Sequence, residues 1–153
     1  MDALDRKALP LLMKDGRITW SELGQALGLS APAAAERVRK LEEHGVIKQF
    51  AALLDAEALG YSLTAFVFVT LGDQRKRAAF QSGVGRLEQI VECHHVAGDD
   101  DFLLKVRCRG TRDLDRLLVE ELKGKMGVAR TRTTVVLDTM KETPGIPVDV
   151  ESR

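Results

Sequence analysis

The 153-residue sequence predicts an α+β fold in two parts, a winged helix-turn-helix followed by a ferredoxin-like βαββαβ domain. Three observations predict it. Apolar residues in the first third recur at spacings of three and four and are punctuated by Gly16, Gly28 and Gly45. The period changes to two at Leu63. Beyond it, strand-like and helix-like runs follow in the order strand, helix, strand, strand, helix, strand.

The first helix carries Leu4, Leu9, Leu11 and Leu12 and should stop near Asp15 and Gly16, where glycine can take the left-handed conformation. Pro10 within it predicts a kink or a late start, because proline removes one backbone donor. Thr19 and Glu22 form a capping box that opens the second helix, whose apolar face is Leu23, Ala26 and Leu27. Gly28, Leu29 and Ser30 make a tight turn, with Ser30 as the N-cap of a third helix and Pro32 in its first turn. That helix turns Ala31, Ala34, Ala35, Val38 and Leu41 inward. Its remaining positions include Pro32, Ala33, Glu36, Arg37, Arg39 and Lys40, with His44 suited to the negative end of the helix dipole. Residues 46–54 read as a short hairpin or wing, and 55–60 as a capped helical linker.

In the second half Leu63, Ala65, Val67, Val69 and Leu71 alternate, while Phe66 and Phe68 make the opposite face apolar as well. A helix with Phe80, Val84 and Leu87 follows, then a strand over 90–96, a loop over 97–100 and a strand over 101–107. A helix with Leu114, Leu117, Leu118 and Leu122 precedes a last strand over 128–140. This order puts both helices on one sheet face, so the Phe66 and Phe68 face needs another cover, expected to be a second subunit. The expected domains are 1–54, a linker 55–61, 62–141 and an irregular tail 142–153.

Hydrophobic residues at 44% beside charged residues at 30% exclude a disordered chain. The formal net charge of +0 gives no basic footprint, so DNA contact must come from clustered cations, doubled by a dimer. The uncharged stretch 61–72 is too short to span a bilayer, and the start lacks the layout of a signal peptide, so the expectation is a cytoplasmic protein without membrane contact. Cys93 and Cys108 form no C-x-x-C and read as reduced thiols.

Three helices around a glycine turn suit DNA, where small residues at the start of the third helix approach base edges and its cations meet phosphates. Similar units also serve as packing or docking modules, which leaves open an amino-acid-binding regulatory subunit that works without DNA. His94, His95, Asp99, Asp100 and Asp101 are ligand types for a metal, but adjacent strand residues point to opposite faces, so no metal site is expected. No phosphate loop, G-x-S-x-G, H-E-x-x-H or dinucleotide fingerprint is present, so no enzyme and no cofactor is expected.

The run Asp15, Gly16, Arg17, Ile18, then Gly28, Leu29, Ser30, then Glu36, Arg37, Val38, Arg39, Lys40, Leu41, Glu42 and Gly45, Val46, Ile47 resembles the Lrp/AsnC (feast/famine) regulators. So do 87–94, the acidic loop Gly98, Asp99, Asp100, Asp101, and Leu103, Leu104, Lys105, the leucine-responsive members being the most alike. The resemblance runs over 1–141. It implies a regulator of transcription that binds double-stranded DNA, forms homodimers that assemble into octamers, and holds an amino acid effector between dimers.

On that basis the DNA surface is Ser30, Pro32, Ala33, Glu36, Arg37, Arg39 and Lys40, with Arg17 and Lys48 as backbone contacts from the flanks. The effector site is Val96, Ala97, Gly98, Asp99 and Asp101, joined by Thr111, Thr134 and Val136 from the same or a neighbouring subunit. Gly98 lets amide donors approach a carboxylate, and Asp99 or Asp101 can accept from an ammonium. Two positions depart from the family pattern. Pro10 stands where an ordinary helix former is usual, and Asp100 where an aromatic is common.

Overall fold

Each of the first three helices begins at side chains that satisfy its free amides. In the computed structural model, which describes residues 1–150, α1 (Ala3–Lys14) is opened by reciprocal bonds between Asp2 and Asp5, at 2.9 Å from the Asp5 N–H and 2.7 Å from the Asp2 N–H. It runs through Pro10 without a late start. Thr19 and Glu22 form the capping box of α2 (Trp20–Leu27), and Ser30 caps α3 (Ala31–Glu43). Ala8, Leu12, Leu23, Leu27, Ala34 and Val38 make the core of this unit.

Gly24, not Ala26, completes the inner face of α2: Gly24 is buried and Ala26 exposed. The reason is steric, because a Cβ at Gly24 would lie 2.7 Å from the Leu29 carbonyl oxygen. The expected wing does not form. Residues 48–55 hold no strand, since no facing strand exists among the described residues of the unit, and Leu53 and Leu54 stand exposed. Residues 56–60 are a turn capped by Asp55 rather than a helix.

The second unit contains β1 (Leu63–Thr70), α4 (Arg77–Val84), β2 (Ile90–His95), β3 (Phe102–Cys108), α5 (Thr111–Arg116, continuing as a π-helix over Leu117–Lys125) and β4 (Arg130–Val135). All neighbouring strands are antiparallel in the order β2-β3-β1-β4, the ferredoxin-like arrangement. Ala65, Val67 and Val69 of β1 and Phe102, Leu104, Val106 and Cys108 of β3 point to the core, with Phe80, Leu117 and Leu122 from the helices. Burial pushes the Cys108 thiol up to about 11, with the Asp113 charge adding to it.

The register assigns the other face to Thr64, Phe66, Phe68 and Thr70 of β1, Leu103, Lys105 and Arg107 of β3, and Arg130, Arg132 and Thr134 of β4. The last strand is shorter than 128–140. Val128 is a buried core residue, and the final ladder bond runs from the Val136 N–H to the Thr64 carbonyl. Beyond it Leu137 and Met140 are exposed.

By contacts, 1–53 and 142–150 form one compact unit and 54–141 the other. The tail therefore belongs with the helices, where Arg6 donates to the Asp149 carbonyl at 3.2 Å. Residues 151–153 of the expected tail lie outside the described residues. No helix among those described is long and apolar enough to cross a membrane.

Candidate functional site

The start of α3 presents Ser30, Pro32 and Ala33 as an exposed surface of small side chains. Farther along, Glu36, Arg37 and Lys40 line, with Ala33, Asp2 and Asp5, a groove of about 620 Å³. Every cation on α3 is paired. Arg37 donates to Asp2 at 2.7 Å and to Asp5 at 2.8 Å, so the capping box of α1 is also an anchor for α3. These bonds, Asp2 first, raise the basicity of Arg37, and the Asp5 amide followed by Arg37 lowers the Asp2 carboxyl. Arg39 bridges Glu36, at 2.6 Å, and Glu43, and Lys40 lies 3.7 Å from Glu36. The Arg39 bond holds the Glu36 carboxyl below its ordinary range. Arg17 and Lys48 are exposed.

The partners of Arg37 change the expectation for it. A guanidinium held by two carboxylates and only 27% exposed is a helix-to-helix anchor before it is a free DNA contact. Arg37→Ala should lower the stability of the helical unit by about 1 kcal/mol, because Asp5 keeps its position and loses its counter-charge. Urea melts of variant and parent, with unchanged midpoints as the contrary result, check this. Lys40→Ala should leave the midpoint alone and flatten the salt dependence of DNA binding by about one unit.

In the second unit the loop 96–101 joins β2 to β3 beside the Thr70 end of β1. The Val96 N–H reaches the Asp101 carbonyl, and the Asp101 N–H reaches the Val69 carbonyl. Gly98 has φ of 148°, with nothing within 4 Å of where a Cβ would stand. Ala97, Gly98 and Asp99 are exposed. Asp101 already accepts from the Leu71 N–H at 2.8 Å and from Gln74 at 3.2 Å, so it shapes the loop.

Thr111 starts α5 at the opposite end of the sheet, just after Cys108, which pairs with Leu63. Thr134 pairs with Phe66 at mid-strand, and Val136 bonds to Thr64 near the far end. Counted along β1 from Thr70, Val136 stands roughly 20 Å from the loop end of the sheet and Thr134 roughly 13 Å, at the usual strand rise. One chain does not bring the expected effector residues together.

Asp100 of the acidic loop is buried, 8% exposed. Its carboxylate accepts from Thr70 at 3.1 Å, Arg132 at 3.0 Å and Arg130 at 3.4 Å. Arg132 in turn lies 3.9 Å over the Phe68 ring. The Arg132 bond, helped by Thr70, holds the Asp100 carboxyl below its ordinary value. The cluster therefore stays ionised at neutral pH, and its stabilising effect is lost only as pH falls through that lowered value. His94 and His95 take opposite faces of β2, His94 beside Glu92 at 3.2 Å and His95 beside the Phe102 ring.

Both units match known domains. Residues 1–42 match the AsnC-type helix-turn-helix domain and residues 64–146 the Lrp/AsnC ligand binding domain. This chain belongs to the Lrp/AsnC family. It is 38% identical to the HTH-type transcriptional regulator FL11 of Pyrococcus horikoshii over 97% of each chain. It is 43% identical to the leucine-responsive regulatory protein of Escherichia coli, over 93% of this chain and 88% of the relative.

Among solved structures, a transcriptional regulator of Neisseria meningitidis in complex with L-methionine superposes with a TM-score of 0.93 at 28% identity, covering 97% of each chain. A feast or famine regulatory protein of Mycobacterium tuberculosis, also complexed with L-methionine, gives 0.88 at 35% identity over 95% of this chain and 97% of that one. As an Lrp/AsnC member the chain is a DNA-binding transcription regulator with an amino acid ligand domain, and not an enzyme.

Four residues of this regulator escaped the sequence reading: Asp2 and Asp5 as the anchors of Arg37, and Arg130 and Arg132 as the partners of Asp100. The spacing of Asp2 and Asp5 was a legible capping signal. The two arginines alternate on β4, a pattern that points them to one face but names no partner.

Proposed function

We propose that this regulator acts in the cytoplasm as a homodimer that assembles further, toward an octamer, and that an amino acid bound between subunits shifts that assembly and with it the occupancy of DNA half-sites. The observation that carries the reading is the separation of the loop 96–101 from Thr111 and Val136, which lie at the other end of β1, with Thr134 part-way between. A site that uses both groups needs the loop of one copy and the α5 end of another. A ligand there gains different contacts in different assemblies, which is what coupling between sites requires.

Asp99 accepts the ammonium of the effector, and the Gly98 turn offers amides to its carboxylate. On DNA, Ser30, Pro32 and Ala33 approach base edges, Arg39 and Lys40 exchange Glu36 and Glu43 for phosphates, and Arg17 and Lys48 hold the backbone on either side. The net charge of +0 makes two half-sites bound together the natural source of affinity. Relatives crystallised with L-methionine support the effector class.

The experiment is sedimentation velocity on the full chain with and without each amino acid at millimolar concentration. A change in assembly with at least one amino acid is expected. Identical profiles throughout, together with no heat of binding, contradict the reading.

A further inference from the structure

Ala34, Val38 and Leu41 are the buried line of α3. Glu36 lies between the first two in sequence, and residues two apart on a helix point to opposite sides, so Glu36 stands across the axis from that line. Ala33 one turn earlier and Lys40 one turn later are exposed with it. A carboxylate therefore occupies the centre of the surface that a helix-turn-helix turns to the major groove, in the first half of the helix, from which base edges are reached. The short side chains of Pro32 and Ala33 leave it room to approach.

In the free chain that charge is offset along the helix. Arg39 donates from Nε at 2.8 Å to one Glu36 oxygen and from Nη2 at 2.6 Å to the other, and Lys40 lies 3.7 Å away. Both cations are more than half exposed, so water weakens these pairs and phosphate oxygens can replace them. Glu36 then faces the duplex as an ionised group that only accepts, and without a donor it carries the full cost of an unpaired charge. The major groove offers two donors, the amino groups of cytosine and adenine. Guanine and thymine turn acceptor oxygens toward a carboxylate and repel it. Adenine sets the acceptor N7 beside its amino group, whereas cytosine has only a C–H beside N4, so cytosine is the base that suits Glu36.

We propose that Glu36 is a base-reading residue of α3 and selects cytosine at one position of each half-site by accepting a hydrogen bond from the N4 amino group. The inference rests on α3 being the helix that enters the major groove. Arg39 and Lys40 supply affinity through phosphates, and Glu36 supplies discrimination by excluding bases that offer it no donor.

The test is selection of sites from a random duplex library by the full chain and by its Glu36→Ala, Glu36→Gln and Arg39→Ala variants, followed by anisotropy titration of the preferred duplexes at fixed salt. One half-site position should be cytosine in the sites of the unaltered chain, and thymine there should weaken binding about tenfold or more. Glu36→Ala should lose the preference at that position and keep the others. Glu36→Gln should move it to adenine, because an amide pairs with both N6 and N7. Arg39→Ala should bind more weakly yet keep the cytosine, which separates reading by Glu36 from reading of the paired guanine by an Arg39 that Glu36 only positions. All three side chains are changed on the exposed face, and circular dichroism checks that the variants fold. Unchanged preferences in Glu36→Ala, or loss of the cytosine in Arg39→Ala, overturn this inference and leave α3 as the DNA helix. Enrichment of no site by the unaltered chain overturns both.

Discussion

Replacement of Gly24 by alanine is expected to destabilise the helical unit by about 2 kcal/mol and to remove most specific DNA binding. Gly24 sits on the inner face of α2, where the chain folds back through Gly28 into α3, and the Leu29 N–H donates to the Gly24 carbonyl at 2.8 Å. The added Cβ would meet the Leu29 carbonyl oxygen at 2.7 Å and the Ser30 backbone at 3.1 Å. Backbone cannot rotate aside as a side chain can. The turn must open, and the angle at which α3 is presented to the major groove opens with it.

Gly28→Ala is the informative comparison. It meets nothing within 4 Å, but φ of 70° makes it costly by about 1 kcal/mol through backbone conformation alone. Urea melts should rank Gly24→Ala as the more damaging, and operator affinity should fall at least about tenfold further for it. Equal melts for Gly24→Ala and the parent would show that the turn tolerates what its geometry excludes.

Phe68→Asp should lower the mass of the particle and weaken DNA binding together. Phe68 lies with Phe66 and Leu103 on the sheet face opposite the helices, and nothing in the core depends on it. An apolar patch of this kind marks an interface, and a second copy covers it in the proposed assembly. A carboxylate at position 68 would stand beside Arg132, which now lies 3.9 Å over the ring, so the subunit can remain folded while its interface gains a charge. Light scattering should move toward the chain mass of 16.9 kDa. DNA affinity should fall by a factor on the order of a hundred as paired half-site binding is lost. An unchanged mass at micromolar concentration would remove this face from the interface.

The parts of the fold legible in the sequence are those encoded locally. Thr19 with Glu22, and Ser30 with Pro32, mark helix starts through groups at most three residues apart, and the alternation of Ala65, Val67 and Val69 orients β1 without knowledge of its neighbours. The errors arise where a distant partner decides. Residues 46–54 have strand-forming side chains but no facing strand among the described residues. Ala26 and Gly24 differ by half a helical turn, and only the approach of Leu29 shows which one is inside.

Arg37 has the charge and position of a phosphate contact, yet its anchors lie 32 and 35 residues earlier in the chain. Asp100 belongs to an acidic turn by sequence and to a buried ion cluster by register, because β4 returns Arg130 and Arg132 to its side from 30 and 32 residues away. The distance of Thr111 and Val136 from the loop 96–101 follows from register as well.

The most direct measurement is DNA binding under effector control. The full chain would select its own sites from a random duplex library, and the enriched sequence would be titrated by fluorescence anisotropy at fixed salt with each amino acid in turn. A paired, two-fold related site is expected, with a shift in affinity or stoichiometry for at least one amino acid. A selected site bound identically in the presence of every amino acid at millimolar concentration would contradict it.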